Sequence, residues 1–372
     1  MTDQLSVFFD PKIFEHNTGE GFFDSIPSEY LPVVELAPEN ADRTRNMLGV
    51  LKDGPIKSSL TWHQAPPADR EATALFHEDG YLDSLDAIGP TEIVRYSNTT
   101  VFGPGSMGAI NAAAGQTIGA ADHVWSGEVK LAYALVRPPG HHAQPTKADG
   151  YCFINNIGVA IEHLRQKGLK KAAVIDWDVH HGNGTQEGFY DDPDVLTISL
   201  HMPHGAWGES HHQTGAADEV GVGAGVGSNI NIPLPYGSGD QAYARAFDEI
   251  IAPAIEAHAP EIIFVAAGQD ANQFDPNGRQ LLTMAGFHQL GLKARGLADK
   301  VSDGRLVLVQ EGGYAMSYAA YCLHATLEGV LQIDPSLSDP IAYVPEDLRG
   351  LTQALEEIKA ERASAIAQKS GA

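Results

Sequence analysis

The sequence predicts an α/β protein, a largely parallel sheet covered by helices on both faces. Three observations carry this. From residue 108 onward, short apolar runs alternate with helix-length amphipathic segments, the rhythm of repeated strand–helix–strand units. The runs KLAYALV, EIIFVAA and RLVLV are apolar almost throughout, as strands covered on both faces are. Four of these runs end in loops rich in His, Asp or Tyr, and ligands of parallel sheets bind at such strand ends.

In chain order, the first hundred residues read as loops and short helices, with Pro and Gly scattered throughout. Segments 41–51 and 67–75 have helical patterning. His16, Thr18 and Gly19 fall in a turn-rich stretch. Segment 108–124 is rich in Ala and Gly with few charges, which suits a closely packed helix. Residues 130–136 form a strand that ends in RPPGHH. Residues 157–166 form an amphipathic helix closed by Gly168. Strands are expected at 172–177, at 195–200 ending in His201, and briefly at 229–233. A helix covers 241–258, a strand 261–267 ends in GQD, and a helix covers 285–301. A last strand, 305–309, ends in QEGGY, and helices cover 318–331 and 346–368. No polar linker interrupts the series, so residues 1–372 are read as one domain.

The net charge is −24. It repels phosphates and disfavours nucleic acid, and attracts cationic small molecules or basic peptides. Cys152 and Cys322 make no disulfide framework. No signal peptide pattern or membrane-spanning apolar run is visible, so a cytoplasmic protein free of the membrane is expected.

The stretch VIDWDVHHGNGTQ, residues 174–186, concentrates the chemistry. Asp176, Asp178 and His180 alternate, so on an extended backbone they share one side. Asp178, His180 and Asp270 would give a cation two oxygens and one nitrogen, with positions left open for water and substrate, as in a catalytic site. His141 and His142 follow a rigid Pro-Pro-Gly turn, where a histidine can move protons. Tyr314 follows two glycines and could donate a hydrogen bond to a developing oxyanion. In a parallel sheet these strand ends share one edge.

The segments ALVRPPGHHA, GYCFINNIGVA, VIDWDVHHGNGTQ, DVLTISLH, NINIPLPYGSGD, VAAGQDA and VQEGGY together resemble the histone deacetylase and acetylpolyamine amidohydrolase family. The HNTGEG start and Asn183 look closest to bacterial class II-type histone deacetylase-like amidohydrolases. The resemblance implies a single-domain arginase/deacetylase-like fold with about eight strands in a mostly parallel sheet. It implies one zinc per chain on Asp178, His180 and Asp270. His142 would be general base and acid, and His141 its electrostatic partner held by Asp176. Asn183 would sit behind His142, and Tyr314 would bind the carbonyl oxygen. Gly150 and Tyr151 would line the acyl-lysine channel, where Gly-Phe is usual.

The resemblance further implies structural potassium at Asp176, Asp178, His180, Ser199 and Leu200, and at an outer site of Phe189, Asp192 and Val195. It implies homo-oligomers, dimers or tetramers, and peptide or small-molecule acyl-amine substrates. Several departures stand out. Trp207 could substitute for a Phe-containing wall, and His204, His211 and His212 are either rim contacts or, the preferred reading, solvated. Gln269 stands where related bacterial enzymes often carry Phe. Asn277 stands where polyamine-specialised relatives can place Glu. Position 272 is Asn, whereas a dimanganese ureohydrolase needs a carboxylate there. A non-catalytic acyl-ligand binding protein would be expected to have lost a ligand or the Tyr.

Overall fold

The structure is a computed structural model that describes residues 4–18, 29–203, 214–341 and 348–370. Its strands are β1 (Leu5–Phe8), β2 (Leu60–His63), β3 (Val94–Arg95), β4 (Val101–Phe102), β5 (Leu131–Ala134), β6 (Ala172–Asp176), β7 (Val195–His201), β8 (Asn229–Pro233), β9 (Ile262–Ala267) and β10 (Leu306–Gln310). Its helices are α1 (Ala41–Asp53), α2 (Arg70–Thr73), α3 (Asp79–Asp86), α4 (Ser106–Trp125), α5 (Asn156–Gln166), α6 (Asn183–Gly188), α7 (Asp240–Ala246), α8 (Ala252–His258), α9 (Met284–Val301), α10 (Tyr318–Val330) and α11 (Leu351–Ser370). A π-helical turn, Phe247–Ile251, joins α7 to α8.

Eight strands form one sheet in the order β2-β1-β5-β10-β9-β6-β7-β8, and every pairing in it is parallel. The remaining two, β3 and β4, make a small antiparallel ladder. Side chains alternate between two cores, as a sheet buried on both faces requires. On β9, Ile263 and Val265 join one core, with Met47, Leu290 and Leu323 of α1, α9 and α10. Ile262 and Phe264 join the other, with Ala120 and Ile161 of α4 and α5. Burying an Ile or Phe this completely contributes about 1.5–3 kcal/mol.

The four strands with loaded ends, β5, β10, β9 and β6, are consecutive neighbours in the middle of the sheet. Their C-terminal ends therefore meet at one place on one edge. The N-terminal hundred residues differ from expectation. They supply two strands of this sheet, β1 and β2, which extend one side of it. The helix expected at 67–75 shrinks to α2 because the Asp69 side chain accepts from Ala72 N and sets the cap there. The helix expected at 346–368 begins at Leu351, just past Gly350, whose φ of +82° breaks any earlier helix. Residues 346 and 347, Trp207, His204, His211, His212 and Gly19 lie outside the described residues.

Candidate metal-dependent active site

β6 stops at Asp176, so Asp178 and His180 stand on the loop beyond it rather than on extended strand. This separates the three alternating residues. The Asp176 carboxylate accepts from His141 Nδ1 at 2.8 Å and from Asp178 N at 3.0 Å. Asp178 and His180 turn instead to Asp270, at the end of β9. Their ligand atoms lie within 4.8 Å of one another. His180 Nδ1 is 3.1 Å from Asp178 Oδ1 and 3.0 Å from Asp270 Oδ2.

The backbone holds this group open. Val179 N donates to Asp270 Oδ1 at 2.8 Å, and Gly312 N donates to Asp178 Oδ2 at 2.8 Å. A Cβ on Gly312 would fall 2.3 Å from Asp270 Oδ2 and 2.6 Å from Asp178 Oδ2. Only glycine leaves both oxygens room. Burial, and then repulsion from Asp178, push Asp270 up to about 8. Burial opposes charge on His180 as well, but its bonds to the two carboxylates outweigh that and raise it to about 10. Asp178 goes the other way: burial opposes its charge, but His141 and His180 outweigh that and hold it well below the usual carboxylate range. A buried carboxylate that takes up a proton beside a histidine that keeps one marks a donor set short of a cation. With two oxygens and one nitrogen, it fits a borderline divalent metal such as zinc. Asn272 adds no second metal ligand, because its Oδ1 accepts from Phe274 N at 2.9 Å and its Nδ2 donates to Gln269 O at 2.6 Å.

The histidine pair stands beside this group, with ring centroids 4.0 Å apart. Burial opposes charge on His141, but Asp176 and Asp178 outweigh it, so His141 holds its proton well above the usual histidine range. His142 goes the other way. Desolvation, then the charge on His141, push it down to about 3. Its Nδ1 is 2.6 Å from Asn183 Oδ1. Adjacent histidines thus acquire opposite protonation preferences.

Tyr314, buried after β10, has its ring centroid 5.6 Å from that of Tyr151, and the Arg43 guanidinium lies 5.3 Å from it. Burial, then Asp178 and Asp270, push its phenol well up, so it keeps the proton a donor needs. Gly150 (φ +48°) and Tyr151 (φ +68°) form a left-handed turn. A Cβ on Gly150 would fall 2.2 Å from His142 Cδ2. Asn277 Nδ2 reaches the Tyr151 hydroxyl at 3.4 Å. Gln269 is buried, accepts from Gln310 Nε2 at 2.8 Å and donates to Ala267 O at 2.7 Å.

Among the residues read as potassium sites, Asp176 and Ser199 are register partners on β6 and β7. Ser199 Oγ accepts from Gly182 N at 3.3 Å. Leu200 follows Ser199 on β7. At the outer set, Asp192 N donates to Phe189 O at 3.1 Å, and the Asp192 carboxylate accepts from Arg165. Val195 opens β7.

Other residues at the site had no role assigned from the sequence. Glu311 Oε2 accepts from Gly140 N at 2.6 Å and His141 N at 3.1 Å, which pins the Pro-Pro-Gly turn to the end of β10. His141, Cys152 and Glu311 also approach one another, but His141 Nδ1 is already directed to Asp176. Asp275 Oδ2 accepts from Tyr314 N at 2.7 Å and Ala315 N at 3.2 Å. Asp149 accepts from Asn183 Nδ2 at 2.9 Å. The one available signal was their place inside or beside the loaded segments.

A parallel sheet with a three-donor cation site and a tandem-histidine turn at its central strand ends defines a deacetylase-like α/β protein. The chain belongs to the histone deacetylase family, whose histone deacetylase domain matches residues 37–330. It is 48% identical to "Histone deacetylase 8" of Arabidopsis thaliana over 96% of each chain. It is 34% identical to the "Histone deacetylase-like amidohydrolase" of Pseudomonas aeruginosa, over 100% of this chain and 97% of that one. The crystal structure of the HDA15 HD domain superposes with a TM-score of 0.82 at 29% identity, covering 100% of this chain and 98% of that one. Among the described residues, no helix is long and apolar enough to cross a membrane.

Proposed function

We propose that this protein is a zinc-dependent deacetylase, one domain over residues 1–372, that hydrolyses N-acetyl or other N-acyl amides of primary amines such as acetyl-lysine. The observation that carries the reading is the meeting of Asp178, His180 and Asp270 within 4.8 Å, beside a histidine whose Nδ1 is held by Asn183. Bound at those three residues, zinc supplies Lewis acidity, polarising the amide carbonyl and making water a better nucleophile.

The chain's own groups do the rest. Asn183 Oδ1 accepts the His142 Nδ1 proton, which leaves Nε2 to take a proton from the attacking water and return it to the departing amine nitrogen. Charged His141, fixed by Asp176, favours the negative charge that builds on the carbonyl oxygen. The Tyr314 hydroxyl donates to that oxygen. Gly150 and Tyr151 flank the acyl-bearing chain. Asn183 supports a class II-type member of the family. Structural potassium and a homo-oligomeric assembly belong to the same proposal.

A second substrate class competes, because a surface of net charge −24 draws polyamines, although position 277 is Asn rather than an acidic residue. The test compares zinc-loaded protein on acetyl-lysine peptides and on acetylpolyamines, with Asp178→Ala as the blank. The reading expects amine release from the acetyl-lysine peptide that the blank lacks. Equal release by the blank, or none on any acylated amine, overturns it.

A further inference from the structure

The turn that carries Gly150 and Tyr151 begins with Asp149. Its backbone is fixed by a two-way bridge, Asp149 N donating to Cys152 O at 3.0 Å and Cys152 N to Asp149 O at 2.7 Å. Its Oδ2 accepts from Asn183 Nδ2 at 2.9 Å and from Gln144 Nε2 at 3.3 Å. Gly150, one residue on, lies against the His142 ring. One turn therefore touches the histidine directly and also reaches the residue behind it.

The orientation of Asn183 follows from this contact. An amide has a donor end and an acceptor end, and a carboxylate only accepts. With its NH2 group on Asp149, Asn183 must present Oδ1 to His142 Nδ1, 2.6 Å away. His142 Nδ1 is then the protonated nitrogen, and Nε2 is the acceptor. A rotated Asn183 would put a donor against Nδ1 and move the ring proton to Nε2, where it blocks proton uptake.

We propose that Asp149 is a positioning residue that selects the His142 tautomer by fixing the orientation of the Asn183 amide. The inference rests on the reading of His142 as general base. Asp149 acts on His142 through Asn183, whose amide bonds both.

The test is an exchange of the two residues. Asp149→Asn frees the Asn183 amide to rotate and lowers kcat by about tenfold with KM little changed, far short of the roughly 10⁴-fold loss when a directly bonded residue imposes the wrong tautomer. Asn183→Asp alone sets two carboxylates against each other and also lowers kcat. The double variant Asp149→Asn/Asn183→Asp restores an amide facing a carboxylate, and that carboxylate accepts from His142 Nδ1. Its kcat should return to within about threefold of the wild type.

A purely structural role for Asp149 in the turn predicts no such rescue. Nitrogen-15 NMR of the His142 ring, assigned with His142→Phe, reports the tautomer without turnover. The Nδ1–H form should dominate in the wild type and the double variant, and a mixture should appear in Asp149→Asn. An unchanged Nδ1–H tautomer in Asp149→Asn, or a double variant no better than either single, overturns the inference. Lack of turnover by the wild type would instead count against the deacetylase reading, with the tautomer readout still deciding the role of Asp149.

Discussion

Tyr314 differs from phenylalanine by one hydroxyl, and the proposed mechanism puts that hydroxyl on the developing oxyanion. Tyr314→Phe should lower kcat by about 10²-fold or more, the usual loss of an oxyanion donor. Steady-state kinetics near the wild-type value would remove Tyr314 from the chemistry. Asn183→Asp tests the base. Desolvation and the charge on His141 hold His142 low, and a new carboxylate on its Nδ1 favours the protonated ring. A base must be neutral to act, so activity is lost below its pKa. The acid limb of the pH–rate profile should therefore move to higher pH, and an unmoved limb would contradict this. At this scale the meeting of Asp178, His180 and Asp270 beside the histidine pair was legible, because Asp and His at apolar strand ends have few bland explanations. Glu311 and Asp275 were not. Their work is to accept backbone N–H bonds from Gly140 and Tyr314, contacts that bridge 171 and 39 residues, and no spacing rule covers such distances.

Among the elements, strands and helices with a clear period fell where the sequence placed them, within a few residues. The strand expected at 229–233 and β8 coincide, and α9 begins one residue before the expected 285. β1 escaped notice because LSVF offers only four residues of pattern. What makes it a strand is its pairing with residues 60–63 and 132–134, which is non-local. The turn after β10 gives an element-scale prediction. Gly312→Ala drives a methyl group onto the Asp178 and Asp270 oxygens. Zinc should bind about 10–100-fold more weakly, the usual cost of disturbing what supports metal ligands, while the sheet stays folded by circular dichroism. Undiminished zinc affinity by calorimetry would show that the turn does not shape the site.

For the whole molecule, the site depends on N-terminal segments being tied to the sheet. Glu39, fully buried, bonds Arg43 of α1 at 3.0 Å and Arg137 after β5 at 2.7 Å. Arg137 also donates to the carbonyls of Ile13 and His16, and Arg43 to that of Glu311. Burial opposes the charge on Glu39, but Arg137 and then Arg43 outweigh it and lower its pKa from 4.5 to about 2. A depressed carboxylate stabilises the fold above its unfolded pKa, so this contribution is present above about pH 4.5 and disappears as pH falls through about 2. Glu39→Gln leaves two buried guanidinium groups short of charge and should cost about 3–5 kcal/mol in urea unfolding. A change near zero would mean that the cluster is not a structural tie.

The proposed deacetylase chemistry needs one cation, held by Asp178, His180 and Asp270. Its most direct test is turnover of an acetyl-lysine peptide by chelator-stripped protein during titration with zinc. Activity should be absent after stripping and return in proportion to zinc, levelling off at one ion per chain. Full activity in the stripped protein, or none once one equivalent is bound, would contradict the claim.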